Sequence, residues 1–179
     1  PFSNYTGADE LETLVSGMHA CLISDLGRLS GLRVINATTS NVYKNATRSV
    51  QEIANELNVD AAIEVSVFGV IDSIIIHVTL ISAFPEEETI WNADYKEGKS
   101  QLLNLYNRIT EQIAGEVKVK LTSDEQRFLA ESRTVDPEAM FAYMKGQFYW
   151  ERLSKEGYDS ALFYFQLAIE EDPDWADPY

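Results

Sequence analysis

The sequence predicts an α/β fold, in which helices pack on a mixed sheet, followed by an all-α helical hairpin. Up to about residue 133, the apolar residues recur with helical periodicity in some segments and with strand periodicity in others. Beyond that point the strand patterns cease, aromatic residues become frequent, and Pro137 suits the first turn of a helix. We therefore expect a mixed domain over residues 1–133 and a helical hairpin over residues 134–179.

The first domain begins with residues that indicate the end of a strand, then a helix, then a short strand. Pro1 and Phe2 have the character of a strand end, and Asp9 can cap a helix that has Glu12 at capping-box spacing. Residues 32–35 form a short run, Leu-Arg-Val-Ile, which indicates a short strand. Residues 36–48 are polar and irregular, so we expect a loop there.

A second helix, three strands and a long helix complete this domain. The second helix begins at Ser49, with Glu52 three residues later, and ends near Asn58. A long helix follows the strands over residues 100–121. The strands alternate in polarity and predict an antiparallel meander over residues 63–67, 74–81 and 89–95.

The hairpin carries small, aromatic and proline residues at fixed spacing. This spacing is typical of a tetratricopeptide repeat, in which small residues let two helices approach and an aromatic ring fills the gap beside them. Two helices cannot cover both of their apolar faces, so we expect the start of a longer array that this chain truncates. The turn should be extended over residues 154–157. The signature positions are Gly146, Tyr149, Ala161, Phe165, Ala168 and Pro173.

Several short motifs in order resemble a known bacterial domain. They are the opening Pro1-Phe2-Ser3-Asn4, residues 31–35, residues 53–59, and residues 80–83 followed by Trp91 and Tyr95. Together they resemble the TolB N-terminal domain and the flagellar FlgO protein, in a family commonly followed by tetratricopeptide repeats. The resemblance implies a sensory, scaffolding or envelope-associated part of proteins that also carry adenylate-cyclase-like, kinase-like or DNA-binding modules. It supplies no catalytic residues.

Composition and charge narrow the classes of function. With 45% hydrophobic and 24% charged residues, the chain has the profile of a globular protein that needs no disulfide or metal to be stable. The single cysteine, Cys21, excludes an intrachain disulfide. The formal net charge of −15 disfavours nucleic acids and anionic membrane surfaces as partners. Residues 61–83 are interrupted by polar residues, so no membrane insertion of this segment is expected.

No sequence pattern here indicates a catalytic, cofactor or metal site. His19 and Cys21 are two apart on a helix and face different ways, and His77 lies in a strand as a core or edge side chain. We therefore expect that the protein is not an enzyme and binds no cofactor or metal. The aromatic residues Trp150, Phe163 and Tyr164 cannot all face the hairpin core, so they are candidates for a partner surface or an interdomain surface.

These expectations combine into a non-catalytic scaffold that binds protein partners, within a larger bacterial signalling or cell-envelope protein. A homo-oligomer is a further expectation. The alternative is a small-molecule sensor that regulates an attached effector, with a pocket near residues 36–48. The chain starts at Pro1 and stops at Tyr179, where a new helix pattern begins, so we expect a segment of a longer protein. A periplasmic or other extracytoplasmic location is favoured over the cytoplasm.

Overall fold

A computed structural model describes residues 1–70, 73–98, 102–117, 122 and 135–179. The predicted fold class is confirmed: a four-stranded mixed sheet carries helices, and a helical hairpin lies at the C-terminal end. Within the described ranges, no helix combines the length and apolarity needed to cross a bilayer. In chain order the elements are β1 Phe2–Asn4, α1 Asp9–Gly27, α2 Ala37–Asn41, α3 Val50–Leu57, β2 Ala61–Val70, β3 Ser73–Ser82, β4 Glu88–Gly98, α4 Leu102–Glu116, α5 Pro137–Trp150 and α6 Lys155–Glu171.

The strand order in the sheet follows the chain order, β1-β2-β3-β4. The predicted meander is present, because β2, β3 and β4 pair antiparallel along most of their length. β1 is parallel to β2 and is much shorter than it, so it pairs only with residues 65–67. The other residues of β2 therefore have no described strand on that side.

One face of the sheet is covered by helices. Alternate residues of β3 are almost completely buried beneath that layer, as the two-residue period of a strand requires: Ile74, Ile76, Val78 and Leu80. The helices over this face are α1 and α4, which share one hydrophobic core with the sheet and with the inner side of α5. The residues between, including His77 and Thr79, are only partly buried and lie on the open face.

The helices α1, α2 and α3 differ in how the backbone N–H groups of their first turns are capped. α3 has the predicted box: the backbone N–H of Glu52 donates to the Ser49 hydroxyl, and the Ser49 N–H donates to the Glu52 carboxylate. α1 begins at Asp9, as predicted, but Asp9 is not its cap, because the cap residue is Ala8, which makes no side-chain hydrogen bond. In the segment predicted as a loop, the Asn36 side chain accepts from the Thr39 N–H at 2.8 Å and starts the short helix α2.

The predicted strand at residues 32–35 is absent. The segment joins no described strand, because β1 pairs with residues 65–67 and no ladder reaches it. Its position is fixed by Arg33, whose guanidinium donates to the carbonyl oxygens of Leu57 at 2.7 Å and Asn58 at 2.5 Å. Residues 32–35 therefore lie against the C-terminal end of α3. The predicted continuation of the long helix through residues 118–121, and the predicted domain boundary near residues 133–134, fall outside the described residues.

Candidate functional site

The two helices of the hairpin approach closely at Gly146. A Cβ on this glycine would lie 2.4 Å from the Phe165 ring, so only a glycine leaves room for that ring. Two other signature residues, Ala161 and Ala168, are fully buried between the helices. Tyr149 stacks on Tyr164 with ring centroids 5.5 Å apart and the planes nearly parallel. These contacts make a tight hairpin; its membership of a tetratricopeptide array stays a prediction.

The predicted turn position is wrong by several residues. α6 begins at Lys155, so residues 155–157 are already helical. Its cap is Ser154, whose hydroxyl accepts from the Gly157 N–H at 3.0 Å. The link to α5 is therefore residues 151–154, with Leu153 at a positive φ of 48°. At the other end α6 stops at Glu171, two residues ahead of Pro173.

A group of aromatic and apolar side chains is exposed on the hairpin. Trp150 is 50% exposed, Phe163 64% and Leu162 69%. The nearby rings form two separate sets of contacts: Trp150 meets Tyr158 with ring centroids 5.2 Å apart, and Phe163 meets the half-buried Tyr164 at the same separation. We call this group the aromatic face; its members are Tyr149, Trp150, Tyr158, Leu162, Phe163 and Tyr164.

Two cations lie over rings next to the aromatic face. The Arg152 guanidinium is 4.5 Å from the centre of the Phe148 ring, and the Lys145 ammonium is 5.5 Å from the centre of the Tyr164 ring. Such contacts hold long side chains against the rings and leave them at the rim of the apolar patch. Two of the cations of a protein whose net charge is −15 therefore lie beside the aromatic face.

A second feature is a groove of about 380 Å³ between α1 and the uncovered edge of β2. It is lined by residues 31–35, residues 57–64, Leu22 and Leu26 of α1, and Val50, Ile53 and Ala54 of α3. Ser40 and Tyr43 also line it, so the groove includes part of the segment where a sensor pocket was predicted. A further depression shares residues 31–32 and 60–61 with the groove and continues it.

His19 is buried at this groove. Its ring lies 5.3 Å from the Phe2 ring, and its Nε2 is 3.3 Å from the Ser40 hydroxyl. Burial lowers the pKa of His19 to about 3, with smaller contributions from the positive charges of the Pro1 amino group and Lys44. The imidazole is therefore neutral near pH 7. Burial also raises the pKa of the Cys21 thiol, which makes it a poor nucleophile.

A polar cluster joins α1, α4 and the chain after the hairpin. The Tyr106 hydroxyl donates to the Asp25 carboxylate at 2.6 Å, and Arg28 pairs with Asp177 at 2.6 Å. Burial raises the pKa of Asp25 to about 6, even though the Tyr106 hydrogen bond and the Arg28 charge oppose this change. This cluster was missed by the sequence analysis.

Three polar side chains are hydrogen-bonded in a row on the open face of the sheet. His77 Nδ1 lies 2.6 Å from the Asp94 carboxylate on β4, and its Nε2 lies 3.0 Å from the Thr79 hydroxyl. The hydroxyl, imidazole and carboxylate are thus hydrogen-bonded in a row, and the Asp94 side chain at its end is 73% exposed. Within the described part of the chain, no group of three or more His, Cys, Asp or Glu residues has the geometry to hold a metal ion.

Comparisons with known proteins show similarity to a curated protein and to solved structures. A protein of Rhizobium meliloti (strain 1021) named "Putative adenylate cyclase 3" is 30% identical over 139 residues. These residues are 78% of this chain but only 24% of that protein, so the chain spans about a quarter of its relative's length. The crystal structure of lipoprotein GNA1162 from Neisseria meningitidis matches with a TM-score of 0.41 and 18% identity, over 64% of this chain and 92% of that one. No protein-family model matches the chain.

The relative corrects one expectation from the sequence. The prediction that the protein is not an enzyme is wrong, because the matched curated protein is named as an adenylate cyclase. The prediction relied on the absence of catalytic patterns among 179 residues. Such an absence says nothing about the activity of a longer protein in which similar residues occur. The resemblance to the TolB N-terminal domain, to FlgO and to tetratricopeptide repeats stays a prediction.

Proposed function

We propose that this chain is the part of a bacterial adenylate cyclase-like protein that binds a protein partner and thereby regulates cyclase activity. The single observation that carries the proposal is the aromatic face, where Trp150, Leu162 and Phe163 are each at least half exposed. Exposed aromatic clusters of this kind are enriched at protein interfaces, because each ring gains a large buried area at a small entropic cost. The relative named as an adenylate cyclase supports the enzymatic context.

The structure also supports a route from this face to the rest of the chain. α5 packs on α1, and α1 in turn packs on β1 and α4. A partner bound to the hairpin would therefore contact a pair of helices of which α5 touches the core helix α1. The Arg28–Asp177 pair adds a link between the end of α1 and the chain that follows α6. We propose that a partner bound to the hairpin acts on the rest of the chain through this packing of α5 on α1.

The test uses a photo-crosslinking amino acid in place of Trp150 or Phe163 in the longer cyclase-like protein, expressed in its own host. We expect a crosslinked protein adduct at both positions and none when the same amino acid replaces Ile90. Ile90 is the matched control, because it is 48% exposed but lies on β4, away from the hairpin.

Cyclic AMP production is the second measurement. We expect Trp150→Ala combined with Phe163→Ala to abolish the partner's effect on cyclic AMP synthesis, and Ile90→Ala to leave that effect unchanged. Equal crosslinking at Ile90 and on the hairpin, or unchanged regulation in the double variant, would refute the proposal.

A further inference from the structure

The outward side of α6 carries a stripe of exposed side chains. Among the described elements α5 packs extensively on α6, and it covers the side of α6 that includes Ala161 and Ala168. On the opposite side, residues that recur every three or four positions share one face of the helix and are all exposed. We call them the α6 stripe; its members are Lys155, Asp159, Leu162, Phe163, Gln166 and Glu170.

The α6 stripe has an apolar centre and oppositely charged ends. α6 runs from Lys155 to Glu171, so Leu162 and Phe163 lie at its middle, and each is more than half exposed. Lys155 is at the first position of the helix, and Glu170 is in its last turn. A surface with this order of groups is complementary to itself when a second copy runs in the opposite direction.

The charges at the end of α6 favour that direction. Glu170 and Glu171 lie in the last turn, which contains no basic residue. The C-terminal end of a helix carries a partial negative charge, so acidic side chains there are repelled by it. An antiparallel second copy of α6 would bring a positive helix N-terminus and Lys155 beside these two carboxylates. A parallel copy would instead bring like charges together at both ends.

A two-fold axis between Leu162 and Phe163 determines which residues of the stripe face one another. Leu162 of each copy then faces Phe163 of the other, which buries the apolar centre. One helical turn further out, Asp159 faces Gln166, whose amide N–H can donate to the carboxylate. At the ends Lys155 faces Glu170 as an ion pair. Because the arrangement is two-fold symmetric, each of these pairings occurs twice.

We propose that the α6 stripe binds the same stripe of a second copy of this chain, with the two α6 helices antiparallel about Leu162 and Phe163. This inference rests on the proposed function, because it names the partner of the aromatic face. Tyr158 is one helical turn before Leu162 and contacts the Trp150 ring, so both rings extend the apolar area beside the stripe. One pair of helices is a small interface, and we expect a dissociation constant of about 10–100 μM.

The first experiment is sedimentation equilibrium of the purified chain over a range of concentrations. We expect the mass to rise from that of one chain to that of two. Phe163→Glu should keep the chain monomeric, because it places a carboxylate at the apolar centre. The matched control is Ile90→Glu, which makes the same change at an exposed residue of β4 and should leave the dimer unchanged. Circular dichroism of both variants checks that each is folded.

Reversal of the end charges tests the antiparallel register. We expect Lys155→Glu and Glu170→Lys each to weaken association about tenfold, since each creates two like-charged pairs across the interface. The double variant should restore it, because the two charges face each other again with their signs exchanged. Glu170→Lys changes the net charge from −15 to −13, since a charge of −1 becomes +1. The lower net charge alone would favour association, so a weaker dimer indicates a specific pairing.

Three results would overturn the inference: a wild-type chain that stays monomeric far above the expected dissociation constant, equal loss of association with Ile90→Glu, or no rescue in the double variant. Photo-crosslinking in the longer protein separates this inference from the proposed function. A monomeric purified chain together with an adduct to a different protein at Phe163 overturns the inference and leaves the proposed function intact. An adduct between two copies supports both, and no adduct at Trp150 or Phe163 refutes the proposed function.

Discussion

A Cβ placed on Gly17 of α1 would lie 2.1 Å from the carbonyl oxygen of Met144 in α5. Such a distance is far inside van der Waals contact, and the atom it meets is backbone, which cannot rotate away. The two helices therefore touch at this crossing without a side chain between them. Gly17 is buried, and Met144 beside it is 1% exposed. The close packing of α5 on α1 at this crossing therefore requires a residue without a Cβ at position 17.

We expect Gly17→Ala to destabilise the protein by about 1–3 kcal/mol or more, because overpacking must push α5 away from α1. The matched control is Gly115→Ala on α4, where an added Cβ meets nothing within 4 Å. That change should be neutral or stabilising by up to about 1 kcal/mol, since alanine is the better helix former. Urea unfolding of both variants measures the difference. Equal stability of the two variants would show that the helices do not cross this closely.

Within the hairpin, we expect Gly146→Ala to cost about 1–3 kcal/mol for a related reason. Here the added Cβ meets the Phe165 ring at 2.4 Å, and a side chain can be shortened where a backbone cannot. In a Phe165→Leu background the same glycine change should therefore cost much less. A double-mutant cycle by thermal or urea unfolding measures this coupling. Additive effects of the two substitutions would contradict the contact.

Local signals predicted the elements of this fold well. Ser49 and Glu52 lie within one turn of each other, so their box is visible in the sequence and is present in the structure. The helix after Asp136 was predicted from Pro137 at its first position, and the Asp136 carboxylate accepts from the Glu138 N–H at 2.8 Å. Such signals depend only on residues close in sequence.

Relationships between distant residues could not be predicted in the same way. From the sequence alone, Gly17 is an ordinary glycine within a helix. Only its contact with α5 shows that a Cβ at this position does not fit. The composition of residues 32–35 is typical of a strand. A strand also needs a neighbouring strand to pair with, and none of the described strands pairs with these residues. Asp25 did carry a signal that was overlooked. It is three residues after Leu22 and four before Leu29, so it lies on the buried face of α1.

The buried Asp25 gives a specific dependence of stability on pH. Its folded-state pKa, about 6, is above the unfolded value of roughly 3.9, so the folded protein binds this proton more tightly. The associated stability is fully present below pH 4 and is lost as pH rises through 6. Asn resembles the protonated acid and can still accept from Tyr106. We therefore expect Asp25→Asn to gain stability relative to wild type between pH 4 and pH 7, by about 1–3 kcal/mol.

The control for this variant is Asp159→Asn, which removes the same charge from an exposed position on α6. It should leave the difference from wild type nearly constant over the same pH range, because net charge alone changes. Tyr106→Phe should raise the pKa of Asp25 further, since the hydrogen bond that favours the carboxylate is removed. A pH-independent difference between Asp25→Asn and wild type would contradict the buried carboxyl.

The buried His19 predicts that the stability of the protein falls as the pH is lowered, which is opposite to the dependence expected for Asp25. Its pKa is lowered to about 3 by burial, whereas in the unfolded chain it is near 6.5, so the unfolded state binds the proton more tightly. The associated stability is fully present above pH 6.5 and is lost as pH falls toward 3. We therefore expect His19→Gln to be less stable than wild type at pH 7, where the fit beside Phe2 is lost, and to close that gap progressively as pH is lowered. Urea unfolding from pH 7 to pH 4 measures this gap between the His19 variant and wild type; a constant gap would mean that His19 is solvated in the folded protein.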